Sequence, residues 1–128
     1  MVKSKRYESS VASITWDKRG VFILKLKDNN AIFDGIEALK QYRHLMECSK
    51  SKAFKLIIDT TGSLLFPTDC AFRIYEKYNK SVNKTAVVAN SLPMQLMIGQ
   101  MVKKLKRGNS MTFKTKEAAL EWILREDN

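Results

Sequence analysis

The chain has 128 residues, of which 45% are hydrophobic and 28% are charged, and its net charge is +10. This length suffices for one hydrophobic core and is too short for two. No stretch approaches the roughly 18 apolar residues of a membrane span, and no apolar signal-peptide core follows the basic start, so the sequence predicts a cytoplasmic protein.

The N-terminal half begins with two strand patterns. Apolar and polar residues alternate over 11–16, and a second apolar strand spans 21–27, which together predict a hairpin. Asp34 and Glu37 have the spacing of a capping box, which predicts that a helix begins near Asp34. Ile36 is expected to lie on the side of this helix that faces the core.

The rest of the chain alternates strands and helices. Residues 54–58 and 85–89 are continuous apolar runs, typical of strands covered on both faces. Thr68 or Asp69 can cap the helix after the first run, another helix follows the second, and a short strand at 111–113 precedes a last helix.

The element order is therefore β-β-α-β-α-β-α-β-α. This order predicts one α/β domain over residues 1–128, with an ordered core at about 11–125. Strands that alternate with helices imply right-handed crossovers, so the sheet is expected to be mixed and mostly parallel, with helices flanking it and an antiparallel hairpin at the N-terminus.

The loop after residues 54–58 is the first place to look for chemistry, because ligands gather at the carboxyl ends of strands in open α/β sheets. It begins Asp59-Thr60-Thr61-Gly62 and continues with the bulky residues 63–66, which would keep a phosphate from the backbone. No P-loop pattern is present. Asp59 and Gly62 are therefore interpreted as turn residues.

The other catalytic candidates are few. His44 is the only imidazole, and the sequence implies no Ser or Cys nucleophile near it. Cys48 and Cys70 lack the signature of an activated thiol, and two Cys with one His are too few for a structural zinc site. The sequence predicts no enzyme, no metal site and no cofactor.

The excess positive charge lies between Lys77 and Lys116, a segment without any acidic residue. Such a surface attracts acidic proteins, nucleic acid or anionic lipid. Four cations near the end of the third helix exceed what its dipole needs, although the aromatic interleaving of single-strand platforms is missing. They form a candidate basic binding face: Lys103, Lys104, Lys106 and Arg107.

Three features resemble the STAS domains of bacterial anti-sigma-factor antagonists: the strand that ends in Asp59, the loop with Gly62 and the helix that begins near Thr68. The ending MTFKTKEAALEWIL is similar to the SpoIIAA-like branch of that family. The matching residues are Phe113, Ala118, Ala119, Leu120 and Trp122. The resemblance covers most of residues 11–125 and implies a sheet flanked by helices, no cofactor and a role in binding another protein.

The resemblance also implies a switch, because antagonists of this family are phosphorylated on a Ser where this helix begins. Thr68 and Asp69 stand against the paired serines of the family. Two alternatives stay open: Thr68 is a weaker acceptor, or Asp69 supplies a fixed negative charge. A simple N-cap is the structural alternative for Thr68. The candidate docking and switch edge is Asp59, Gly62, Thr68 and Asp69.

The leading hypothesis is a non-catalytic regulatory module that binds another protein with an acidic surface. The first alternative is a basic surface over residues 77–116 that binds nucleic acid or anionic lipid with a steep salt dependence. The second is a carrier of a small ligand or lipid, which a closed, polar-lined cavity near Asp59 and Asn90 would favour. The sequence leaves the oligomeric state open, a dimer included.

Overall fold

The computed structural model describes residues 6–50, 52–104 and 109–125. Over these ranges the chain forms a six-stranded sheet with four α-helices. The strands are β1 (Tyr7–Glu8), β2 (Ala12–Asp17), β3 (Val21–Leu26), β4 (Phe54–Asp59), β5 (Val82–Val88) and β6 (Ser110–Phe113). The helices are α1 (Gly35–Ser49), α2 (Asp69–Tyr78), α3 (Leu92–Lys104) and α4 (Lys116–Leu124), and a short 3₁₀ helix (Asn79–Ser81) joins α2 to β5.

The strands lie in the sheet in chain order, from β1 at one edge to β6 at the other. The pairs β1–β2 and β2–β3 are antiparallel, and the pairs from β3 to β6 are parallel. The predicted α/β class and the mostly parallel sheet with its N-terminal hairpin are confirmed. The sheet also begins earlier than residue 11, because the two-residue strand β1 pairs with β2.

Helices cover both faces of the sheet. Adjacent residues of β4 point to opposite faces: Leu56 packs with α1 and α2, whereas Ile57 packs with Ile123 of α4. Helix α3 joins α1 and α2 on their face, since Ile98 packs on Val87, the residue in register with Ile58. The prediction that the strand at 54–58 is covered on both faces is confirmed.

A buried hydrogen-bond network fastens β1 to the helices. Glu37 is only 8% exposed, and its Oε2 atom accepts hydrogen bonds from Tyr7 OH, Ser9 Oγ and Gln41 Nε2, each at 2.9 Å. Tyr75 of α2 donates its hydroxyl to Gln41 Oε1. Burial, with the hydrogen bond to Glu37, raises the pKa of Tyr7 to about 12. Glu37 therefore works as an acceptor in the core.

Helices α1 and α2 begin at caps that the sequence predicts, and α4 begins at a cap of the same kind. Asp34 Oδ1 accepts the backbone N–H of Glu37 at 2.9 Å, and Thr68 and Thr115 cap α2 and α4 in the same way. Of the two hydrogen bonds in a capping box, the one from the Glu37 backbone N–H to the Asp34 side chain is formed. The Glu37 carboxylate instead accepts hydrogen bonds from Tyr7, Ser9 and Gln41. Each of these caps satisfies a backbone donor that the first helical turn leaves without a partner.

Candidate functional site

Three loops leave the sheet at one edge, which we call the carboxyl edge. Strands β3, β4 and β5 are parallel, so the loops 27–34, 60–68 and 89–91 all follow their carboxyl ends. Three hydrogen bonds join these segments: Ser63 Oγ to Lys27 O at 2.9 Å, Thr60 Oγ1 to Val88 O at 2.7 Å, and Thr68 N to Phe33 O at 2.9 Å. The edge is therefore a preformed surface.

Asp59 and Gly62 shape the turn after β4. Asp59 is 9% exposed, its Oδ1 atom accepts the backbone N–H of Thr61 at 2.9 Å, and Lys25 Nζ lies 3.8 Å from the same oxygen. Gly62 has a φ of +77°, a conformation that side-chain-bearing residues rarely adopt. Their interpretation as turn residues is confirmed, and the carboxylate is engaged in holding that turn.

Thr68 and Asp69 lie on the surface where α2 begins. Thr68 is the N-cap, and its Oγ1 atom accepts the backbone N–H of Ala71 at 3.3 Å. Asp69 is the first helical residue, where a negative charge is favourable. The structure thus brings Thr68 and Asp69 to the same edge as Asp59 and Gly62, with Asp59 buried and the other three exposed.

The first turns of α1 and α2 lie almost in contact at this edge. A Cβ atom added to Gly35 would lie 3.2 Å from Cys70 Cβ, which is tighter than ordinary packing. The loops before the two helices also pair, because Phe33 and Pro67 form an isolated parallel bridge. Cys70, which makes this contact, is itself exposed.

Exposed aliphatic side chains collect along the carboxyl edge. We call them the apolar rim, and each is at least 62% exposed: Ile32, Ile36, Leu64, Leu92 and Leu96. The prediction that Ile36 faces the core is wrong, because its side chain is 68% exposed, whereas Glu37 and Ala38 of the same turn are buried. Leu92 and Leu96 are one helical turn apart and share the outer face of α3. Several exposed apolar side chains at one edge make that edge a candidate interaction surface.

The candidate basic face lies elsewhere. Lys103 and Lys104 are exposed in the last described turn of α3, whereas Lys106 and Arg107 lie outside the described residues. Since α3 begins at the carboxyl edge, a rise of about 1.5 Å per residue places Lys103 about 16 Å along the helix from Leu92. The structure therefore separates the two candidate surfaces that the sequence proposes.

A pair on α1 went unnoticed in the sequence. Cys48 Sγ lies 3.5 Å from His44 Nε2, and the His44 ring lies 5.5 Å from the ring of Tyr7. The sequence implies no Ser or Cys nucleophile near His44, whereas the structure places a Cys side chain beside it, because residues four apart are neighbours on a helix. That spacing was the available signal. Both side chains are half-buried on the middle and last turns of α1, far from the carboxyl edge.

Neither a group of metal ligands nor a helix fit to span a membrane is found in the described part of the chain. Over residues 6–50, 52–104 and 109–125, no three His, Cys, Asp or Glu side chains are grouped so that they could hold a metal ion. Among the described helices, none combines the length and the apolar character that a membrane span requires.

A comparison with protein-family models, curated proteins and solved structures finds no match to this chain. The α/β class therefore follows from the strands and helices themselves. The resemblance to STAS domains stays a prediction that is based on the residues around Asp59 and on the C-terminal helix.

Proposed function

We propose that the chain is a non-catalytic module that docks a partner protein on its carboxyl edge. The observation that carries this proposal is the apolar rim: five exposed aliphatic side chains from two loops and the first turns of two helices share one edge of the sheet. Leaving them in water is unfavourable, and a partner with an apolar surface would remove them from it. The resemblance to STAS domains supports the same class of function, with a regulatory role.

A protein fits this edge better than nucleic acid or an anionic lipid surface. Asp28 and Asp69 are exposed and Asp34 is half-buried at the same edge, so phosphate groups would meet like charges there. The exposed Lys103 and Lys104 lie toward the far end of α3. The net charge of +10, with Lys103 and Lys104 exposed further along α3, favours a partner whose acidic surface lies outside its apolar contact.

The hydrogen bonds between the loops also favour docking. Ser63 and Thr60 each fix a side chain to the backbone of another strand's end, and Thr68 N fixes α2 to the loop before α1. A surface that is ordered before binding loses less conformational entropy when the partner arrives. The rim is therefore suited to rigid docking.

The test compares the wild type with a rim variant that carries Ile36→Ser, Leu64→Ser and Leu92→Ser. Met111→Ser is the matched control, because Met111 is an exposed apolar side chain on β6, in register with Ala86 on the α4 face. Each immobilised protein is exposed to lysate of its own cells at low and high salt, with and without nuclease. Retained proteins are identified, purified and titrated calorimetrically.

We expect one defined protein to bind the wild type and the Met111 variant through high salt. Its affinity for the rim variant should fall about a hundredfold, which corresponds to about 2.7 kcal/mol over three truncated contacts. Circular dichroism should show all three proteins equally folded. Equal retention by the three proteins, or only nuclease-sensitive material that salt removes, would contradict the proposal. Loss of a homodimer in the rim variant would identify a second copy as the occupant instead.

A further inference from the structure

A cavity of about 80 Å³ lies between the sheet and the two helices α2 and α3. Phe72 and Tyr75 line it from α2, Met94 and Ile98 from α3, and Val87 from β5. This volume exceeds the space of about 30 Å³ that one water molecule occupies in the liquid. The cavity is therefore large enough for a small organic molecule or for a few waters.

One buried hydroxyl beside this cavity has no partner within the described part of the chain. Ser110, the first residue of β6, lines the cavity and is 9% exposed, and its Oγ atom makes no hydrogen bond within the described part of the chain. Two other hydroxyls of the lining are engaged: Thr60 donates to Val88 O, and Tyr75 donates to Gln41 Oε1. Buried hydroxyls nearly always have a partner, so Ser110 Oγ is an exception that calls for one.

The described lining residues include no Asp, Glu, Lys, Arg or His. A charged ligand would lose its hydration there without gaining a counter-charge, so the cavity selects neutral molecules. A static apolar cavity of about 150 Å³ takes a benzene-sized molecule. The cavity here is smaller, but Met94 and Met101 contribute flexible side chains to its wall, and methionine adapts its shape readily.

We propose that this cavity is a binding site for a small neutral molecule that is mostly apolar and carries one hydrogen-bonding group. When the molecule binds, the Ser110 side chain turns toward the cavity so that its Oγ pairs with that group, and the rings and aliphatic side chains around the cavity bury the apolar remainder. The site is distinct from the apolar rim, whose side chains point to solvent, and the inference does not depend on a partner protein.

Phenol and toluene test this assignment, because they have nearly the same shape and differ in one hydroxyl. Both are titrated into the wild type and into Ser110→Ala, and binding is followed by methyl NMR shifts and by calorimetry. We expect millimolar binding of both molecules to the wild type. In Ser110→Ala the affinity for phenol should fall about fivefold relative to toluene, the effect of one net hydrogen bond.

Two further readouts keep the assignment open to refutation. The shifted methyl groups should belong to Val87 and Ile98, which can be checked in the wild type even if the variant folds poorly. The thermal midpoint of Ser110→Ala should equal or exceed that of the wild type, because a hydroxyl without a partner is removed. Absence of binding at about 10 mM of either probe, shifts confined to other sites, or an unchanged phenol-to-toluene ratio would each overturn the proposal.

Discussion

At the scale of one residue, Thr68 determines how α2 begins. Its hydroxyl oxygen satisfies the N–H of Ala71, a donor that has no partner within the helix. We expect Thr68→Ala to lower the free energy of unfolding by about 1 kcal/mol, whereas Thr68→Ser should keep it nearly unchanged. Urea denaturation followed by circular dichroism measures both. Thr115→Ala, which removes an equivalent cap from α4, is the matched control.

A substitution at Thr68 can also distinguish a helix cap from a phosphorylation switch. Asp is as good an N-cap as Thr, so Thr68→Asp keeps the fold while it adds a negative charge beside Asp69. If the partner bound the wild type and the Thr68→Asp variant with equal affinity, Thr68 would act only as a helix cap. A Thr68→Ala protein as stable as the wild type would contradict the capping role, since the hydrogen bond to Ala71 would then contribute nothing.

At the scale of helices, replacing two glycines by alanine should have different effects on stability. Gly99 lies inside α3 with no atom within 4 Å of an added Cβ, whereas a Cβ on Gly35 would lie 3.2 Å from Cys70 Cβ. Gly99→Ala should therefore stabilise the protein by about 0.5–1 kcal/mol through helix propensity. Gly35→Ala should gain less or lose stability, because α1 and α2 must move apart. Thermal and urea unfolding measure the stability of the two variants. An equal gain in stability would show that α1 and α2 accommodate the added methyl group at residue 35 without cost.

The order and class of the elements could be predicted from the sequence, because continuous apolar runs and capping residues mark parallel strands and helix starts directly. Strand β1 could not, since Tyr7–Glu8 is too short for a periodic pattern and is held by the distant Glu37. Strand β5 begins at Val82, three residues earlier than the apolar run at 85–89, because backbone pairing with β4 extends through polar residues.

The candidate site was predicted only in part. The turn at Asp59 and Gly62 is a local property, and local chemistry indicates it correctly. The apolar rim is a tertiary property: Ile36 has the same spacing as a core residue, yet the packing of α1 buries Glu37 and Ala38 beside it and leaves Ile36 exposed. The partnerless hydroxyl of Ser110 likewise depends on how α2 and α3 pack over β6.

At the scale of the whole molecule, apolar and basic surfaces lie toward opposite ends of α3. Leu92 and Leu96 belong to the rim, while Lys103 and Lys104 are exposed about three turns further along the helix. Short-range burial at the rim and long-range attraction by the charge are therefore separable contributions. Burial acts chiefly on the dissociation rate, and charges outside the contact act chiefly on the association rate.

This separation predicts the kinetics of a charge-reversal variant. Lys103→Glu with Lys104→Glu should slow association with the acidic partner about tenfold at low salt and leave the dissociation rate unchanged. The effect should vanish near 1 M salt, where the Debye length is about 3 Å. Stopped-flow measurements over a series of ionic strengths provide both rates.

Lys18→Glu with Lys52→Glu is the matched control, because both lysines are exposed, lie outside the basic segment 77–116 and change the net charge equally. We expect this control to slow association less, since its charges are not part of the acid-free segment. Equal slowing by the two variants would show that net charge alone steers the partner. Faster dissociation of the Lys103 and Lys104 variant would place these lysines in the contact itself, so the docking surface would extend along α3 beyond the apolar rim.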